Sequence, residues 1–160
     1  MASSLLVMPA HIEPDDARER WYYDACTLDG GKSAYAEMFN THNPIHAVIS
    51  HLSFGEAYAA AHLKGEAAIG GFTSLMLALR PFVHVVQNDG RDTILQRVRE
   101  QFPRLTITDA VHIATAIENR CVVIRTVDPD LLGLPPAELN ALGAEFGLPH
   151  LSVTEMIFRH

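Results

Sequence analysis

Cysteine is scarce in this sequence, with Cys26 and Cys121 the only two in 160 residues. Two thiols make neither a disulfide framework nor a four-ligand zinc site. Each lies beside a strand-like run, so two buried, reduced thiols are expected. Long apolar runs are missing as well. The longest, Ile69 to Leu79, falls far short of the ~20 apolar residues a helix needs to cross a bilayer. The run Leu5 to Met8 is too short for a signal-peptide core and has no basic residue before it, so a cytoplasmic location is expected and no membrane partner. A basic surplus is also lacking: 12 Lys and Arg stand against 19 Asp and Glu, for a net charge of −7. A protein that grips phosphates by counterion release presents a basic face, which argues against a stoichiometric nucleic-acid binder. A protein that grips them through a divalent cation must instead hold acidic residues together, and the charge leaves that class open.

What is present is an ordinary globular composition, 48% hydrophobic and 19% charged, at the size of one domain with a real core. Residues 1–19 carry Pro9, Pro14 and the acids Glu13, Asp15 and Asp16 with little periodicity, and read as an N-terminal tail or arm. From residue 20 to 160, strand-like and helix-like segments alternate. The strand-like runs are Trp21–Tyr23, His46–Ser50, Phe82–Gln87, Cys121–Val127 and Leu151–Val153. Between them, helices are expected near Lys32–Phe39, Ser53–Leu63, Glu66–Leu79, Asp92–Phe102, Thr108–Glu118 and Pro136–Phe146, with a short terminal helix from Thr154. Such alternation implies a three-layer α/β/α sandwich with a central, mostly parallel five-stranded sheet. In open sheets of this kind, sites form at the carboxyl ends of the strands, where the strand order reverses.

Four acids are placed to reach such an edge. Asp24 follows the first strand, Asp128 follows the strand ending at Val127, Asp109 opens a helix, and Glu56 is expected in the first turn of another. Three have simple structural readings. Ser53 to Glu56 has the form of a capping box, Asp109 suits the positive end of a helix dipole, and Asp128-Pro129-Asp130 is a good turn starter. Asp24 is harder to explain that way, because a charge ending a buried central strand is costly unless it is paired or bound to metal.

The order and context of these acids resemble the PIN-domain family. The stretch Trp21-Tyr22-Tyr23-Asp24-Ala25-Cys26-Thr27-Leu28 resembles that family's first strand, in which an aspartate ends a hydrophobic run. Val48 to Ala57 resembles its second strand and the glutamate of the following helix. Thr106 to Ala116, with Asp109-Ala110 and Ala114, is similar to its Asp-Ala-x-x-x-Ala helix. Val122 to Leu131, with Thr126-Val127-Asp128, is similar to its Thr-x-Asp strand end, and Gly147 to Glu155 looks like its last strand. The resemblance spans residues 20 to 158. It implies a magnesium or manganese site, hydrolysis of RNA phosphodiesters, and, as in VapC-like toxins of toxin–antitoxin pairs, a partner protein that holds the enzyme inactive. The non-catalytic alternative is a PIN-like scaffold that binds protein or RNA without cutting.

The chemistry of such a cluster can be reasoned independently. Carboxylates roughly 5 Å apart repel by about 3 kcal/mol per ionised pair at an effective dielectric near 20, so four of them must take up protons or hold a cation. Oxygen ligands suit Mg²⁺ and Mn²⁺. We therefore expect Asp24 and Asp128 as direct ligands, Asp109 as a ligand or water-positioner, and Glu56 acting through bound water. Thr126 would orient a carboxylate or the phosphate, or serve as an ordinary β-branched strand residue. All four acids should meet in one pocket, with Asp24 and Asp128 within about 10 Å of each other.

The remaining polar residues read as structural. His42 and His46 are separated by Asn43-Pro44, which breaks any helix that would align them, and His112 is expected in the core or behind the ligands. Asp29-Gly30-Gly31 reads as a loop, and Asp89 and Asp92 as a turn and a cap. A phosphoacceptor receiver domain would need an acidic pair after the first strand and a lysine after the last, which Val153-Thr154-Glu155 does not supply. A phosphatase built on Asp128-Pro129-Asp130 would have too little chain left to complete its fold. The helix over Ile69, Phe72, Met76 and Leu79 is apolar nearly all round, whereas a surface helix has a polar side. It predicts a contact with a second subunit, most simply a homodimer, or with an inhibitor, anchored by Phe72 or Met76.

Overall fold

The computed structural model describes residues 17–28, 36–38, 45–80, 83–87 and 93–157. Side chains alternate across its strands, and this alternation builds the layers. Along β1 (Arg20–Tyr23), neighbouring Tyr22 and Tyr23 are both fully buried, but in different clusters. Tyr22 packs with Val48 of β2 (His46–Ser50) and Ile124 of β4 (Val123–Thr126) on one face. Tyr23 packs with Ala47 and Ile49 of β2 and Val83 of β3 (Val83–Val86) on the other. With β5 (Ser152–Glu155) these strands form one five-stranded sheet in the order β3-β2-β1-β4-β5. Every adjacent pair is parallel.

Helices α1 (Ala25–Leu28), α2 (His51–Lys64) and α3 (Glu66–Leu79) cover the Tyr23 face, contributing Leu28, Ala57, Ala61, Phe72 and Leu79. Helices α4 (Thr93–Gln101), α5 (Ile107–Glu118), α6 (Pro129–Leu132) and α7 (Pro136–Glu145) cover the Tyr22 face with Leu95, Val98, Ile113, Ile117, Leu131, Leu139 and Leu142. The result is a three-layer α/β/α sandwich. β2 is buried at every position, as expected of a parallel strand covered on both faces. Helix α7 lies so close to the segment leading into β5 that a Cβ on Gly143 would stand 2.7 Å from Cβ of Leu151. Among the described residues, no helix is long and apolar enough to cross a membrane.

Several expectations need correction. Helix α2 starts directly on the end of β2, and its N-cap is Ser50, whose Oγ accepts from the Ser53 N–H. Ser53 is therefore inside the helix, and Glu56 lies beyond the first turn, so the capping box does not form. Residues 154 and 155 are strand, not the start of a helix. Arg125 explains this: its guanidinium donates to Thr154 Oγ1 (3.0 Å) and to the Glu155 carbonyl (2.8 Å), holding both against β4. The same Arg125 makes a two-pronged pair with Glu37 (2.7 and 2.6 Å) and lies over the Trp21 ring.

Phe72 is not a free docking anchor, because it is buried in the fold beside Phe54 and Tyr58. Leu77, on the opposite side of α3, is half-exposed. Cys121 is buried, but Cys26 is only partly so, and both are free. Lying outside the described residues are nearly all of the 1–19 tail, the 32–39 helix apart from helical residues 36–38, the Asp29–Gly31 loop, His42, Asp89 and Asp92.

Candidate functional site

The chain runs from β1 outward to β2 and β3, then returns to place β4 on the other side of β1. The strand order thus reverses between β1 and β4, and a crevice is expected at their carboxyl ends. Asp24 leaves β1 at that point. It is 5% exposed, so its charge needs partners, and it has them. Oδ1 accepts from the Ala25 N–H (2.7 Å), while Oδ2 accepts from Thr126 Oγ1 (2.9 Å) and from the Cys26 thiol (3.3 Å). The one-turn helix α1 supplies two of these donors.

Thr126, the last residue of β4, is fully buried. Its hydroxyl donates to Asp24 and accepts from the Asp128 N–H (3.0 Å), so a single oxygen joins the two strand-end acids. That hydroxyl is occupied inside the protein, which fits the carboxylate-orienting role rather than a contact to phosphate. Asp128 itself is the N-cap of α6, its Oδ1 accepting from the Asp130 N–H at 2.9 Å. The turn-starter reading of Asp128 is thus met by a capping bond that leaves its other carboxylate oxygen available.

Asp109 stands in the first turn of α5, whose N-cap Thr106 accepts from the Asp109 N–H at 3.1 Å. Burial first, then the nearby Asp128 and Asp24 carboxylates, push the Asp109 carboxyl above the ordinary aspartate range, while Thr106 and His112 pull the other way. Asp109, Asp128 and Asp24 therefore feel one another's charge.

Within this edge, two tight groups of ligand-type atoms stand out among the described residues. Asp24, Glu56 and His112 each bring one ligand-type atom within 4.8 Å of the others, and so, separately, do Asp109, Asp128 and Asp130. The first group is mostly buried and the second half-exposed to exposed. The oxygen-rich donor sets fit a hard divalent cation, and the second group is an all-carboxylate one.

Four residues at this edge fall outside the expected site. Asp130 was legible only as part of a turn. Cys26 lies against both Asp24 and Thr126, accepts from the Val127 N–H (3.3 Å), and is held as a thiol by burial and by Asp24. His112, 1% exposed, stands where a core or supporting histidine was expected, with Nε2 3.1 Å from Glu56 Oε1 and 3.3 Å from Asp24 Oδ1. Its Nδ1 is 2.6 Å from the hydroxyl of Tyr22, which also meets Ser50 Oγ (2.8 Å) and Ser53 Oγ (3.1 Å). Burial pushes the Tyr22 hydroxyl well above its ordinary range, so it keeps its proton. No sequence signal marks this pairing, since Tyr22 and His112 are 90 positions apart.

Comparison with known proteins adds to this geometry. The family model of the PIN domain matches residues 29–135, a range that holds Glu56, Asp109, Thr126 and Asp128 and begins just after Asp24. No curated protein sequence matches the chain. Among solved structures, the chain is similar to VapBC2 from Rickettsia felis bound to a DNA fragment from their promoter, with a TM-score of 0.57 and 13% identity over 86% of this chain and 99% of that one. It is also similar to PAE2754 from Pyrobaculum aerophilum (TM-score 0.53, 20% identity, 84% of this chain and 83% of that one). A third similar structure is VapC20 from Mycobacterium tuberculosis, a Sarcin-Ricin loop cleaving toxin (TM-score 0.51, 14% identity, 69% of this chain and 91% of that one). At these identities the likeness shows a shared fold.

Proposed function

This chain belongs to the PIN-domain family, and from that premise we propose that it is a divalent-metal-dependent endoribonuclease acting in the cytoplasm as the toxin of a toxin–antitoxin pair. The observation that carries the reading is the crowding of acids at the β1–β4 edge, where Asp24 groups with Glu56, Asp109 groups with Asp128, and the charges of Asp128 and Asp24 both reach Asp109. Fold stability does not require it, because carboxylates gathered this way repel one another. The fold shared with a toxin that cleaves the Sarcin-Ricin loop supports the substrate class.

In this reading Asp24, Asp109 and Asp128 would hold Mg²⁺ or Mn²⁺, with Glu56 at the rim. When bound, such a cation lowers the pKa of a coordinated water and offsets negative charge developing on the phosphate. The chain's own groups do the rest. Thr126 fixes the Asp24 carboxylate and ties it to the backbone of Asp128. The cap at Asp130 N–H holds the Asp128 side chain in one rotamer. Glu56, one-third exposed, is the acid best placed to take a proton from an attacking water. A partner protein or a second copy of the chain would find apolar contacts along α2 and α3, where Tyr58 and Leu77 are about half-exposed and Leu63 almost wholly so.

The test is cleavage of a defined RNA by purified protein with Mg²⁺, with Mn²⁺ and with chelator, beside the Asp24→Asn and Asp128→Asn variants. The expected result is cleavage that needs the cation and both acids. Cleavage indifferent to chelator, or no cleavage of any RNA offered with RNA binding retained, would replace the enzyme with a non-catalytic scaffold.

A further inference from the structure

His112 is a fully buried imidazole placed between two acids of the site, and neither core packing nor a carboxylate cluster calls for it. Its Nε2 has two carboxylate oxygens at hydrogen-bond distance, Glu56 Oε1 at 3.1 Å and Asp24 Oδ1 at 3.3 Å. A bare nitrogen lone pair facing two anionic oxygens in a buried setting is repulsive, so the proton belongs on Nε2. In the neutral ring Nδ1 is then an acceptor that burial cuts off from water, and it needs a donor. The Tyr22 hydroxyl, 2.6 Å away, is that donor. The serines beyond it allow this direction: with Ser53 Oγ donating to the Tyr23 carbonyl (3.2 Å), Ser50 Oγ can donate to the tyrosine oxygen at 2.8 Å, which leaves the tyrosine proton for the ring.

We propose that His112 is a positioning residue: its Nε2–H holds Glu56 against Asp24, and the buried Tyr22 hydroxyl sets the tautomer that makes this possible. The proposal rests on the reading of this crevice as the cleavage site, and it assigns Glu56 its working conformation. Glu56 is a long side chain on the second turn of α2, exposed enough to adopt several rotamers, and among the described side chains it is His112 that it meets at hydrogen-bond distance. The imidazole selects the rotamer that points to Asp24 and screens one carboxylate from the other. It comes from α5 in one helical layer and meets α2 of the other, so the contact also links the two layers at the sheet edge. A His112 bound directly to the cation would need the reverse tautomer, with Nε2 bare and Tyr22 accepting.

The experiment has two arms. In the first, the histidine rings of the ¹⁵N-labelled full chain are observed by NMR with and without Mg²⁺, His112→Leu identifying the signal. The expected ring carries its proton on Nε2 in both states, with Nδ1 as a hydrogen-bonded acceptor that Tyr22→Phe converts to an unbonded one. A bare Nε2 in either state overturns the proposal. In the second arm, RNA cleavage by His112→Leu, which keeps apolar bulk, should lose about 10–100-fold in kcat with KM little changed. His112→Gln, which keeps an N–H near the Nε2 position, should recover at least part of that loss. A His112→Leu variant as fast as the parent also overturns the proposal, while leaving the ribonuclease reading intact. Should the parent itself fail to cleave with any cation, that reading falls, and the NMR arm still decides the tautomer. If His112→Leu does not fold, His112→Gln and Tyr22→Phe carry both arms.

Discussion

The two groups of acids at the β1–β4 edge are built on opposite principles. Around Asp24, every carboxylate oxygen has a donor: the Ala25 N–H, the Thr126 hydroxyl, the Cys26 thiol, and the His112 ring nearby. Asp109, Asp128 and Asp130 instead lie close to one another, and the Asp109 carboxyl is pushed upward first by burial and then by the charges of Asp128 and Asp24. The first group is held by hydrogen bonds of the fold itself, made without any cation. The second is held in place by its backbone, at helix starts, with fewer donors for its charge: the Asp130 N–H on Asp128 and Thr106 beside Asp109. The difference teaches that removing a charge should have opposite effects on stability on the two sides, while the proposed cleavage should be lost on both.

The largest effect is expected at Asp24. Asp24→Asn forces an amide N–H₂ against donors that need an acceptor, and should cost about 1–3 kcal/mol of stability together with cleavage. Urea unfolding without metal measures it, and a variant as stable as the parent would erase the contrast between the two groups.

Thr126→Val comes next, because it removes the hydroxyl that joins Asp24 to Asp128. We expect a loss of about 1–2 kcal/mol and a drop of roughly 10–100-fold in cleavage. Thr126→Ser should retain most of both, and equal behaviour of the two variants would show that the hydroxyl is idle.

At Asp109 the expected effect is smaller and of opposite sign. Its carboxyl titrates higher in the folded state than in the unfolded chain, so folding favours its protonated form. The associated stability is fully present below the ordinary aspartate pKa, about 3.9, and is lost as pH rises through the elevated folded value. Without metal, Asp109→Asn should therefore gain on the parent from about pH 4 upward and level off once the parent's carboxyl is ionised. Melting curves across that range test this, and a difference that does not change with pH would contradict it.

Much of this architecture was legible from local sequence. The run His46–Ser50 gives β2 with its observed bounds, because a strand buried on both faces is apolar throughout and ends where a helix cap begins. Glu66–Leu79 is likewise a helix over its full expected length. What local sequence did not give depends on contacts between distant segments. Ser50 and Ser53 are both good caps, and only the strand's direct run into α2 selects Ser50. Thr154 and Glu155 are strand because Arg125, far away in sequence, holds them. The four acids could be named from their positions after strands and at helix starts, but their division into a hydrogen-bonded group and a repelling one could not. That division is made by Cys26, His112 and Tyr22, which carry no motif of their own.

The most direct test is Asp128→Asn, compared with the parent in thermal melts with and without Mn²⁺ and in RNA cleavage. Asparagine can still cap α6, so the helix start is kept while one charge leaves the repelling group. The expected result is a variant at least as stable as the parent without metal, with little stabilisation by Mn²⁺ and no cleavage. A variant that is destabilised yet responds to Mn²⁺ like the parent, or one that still cleaves, would contradict the account.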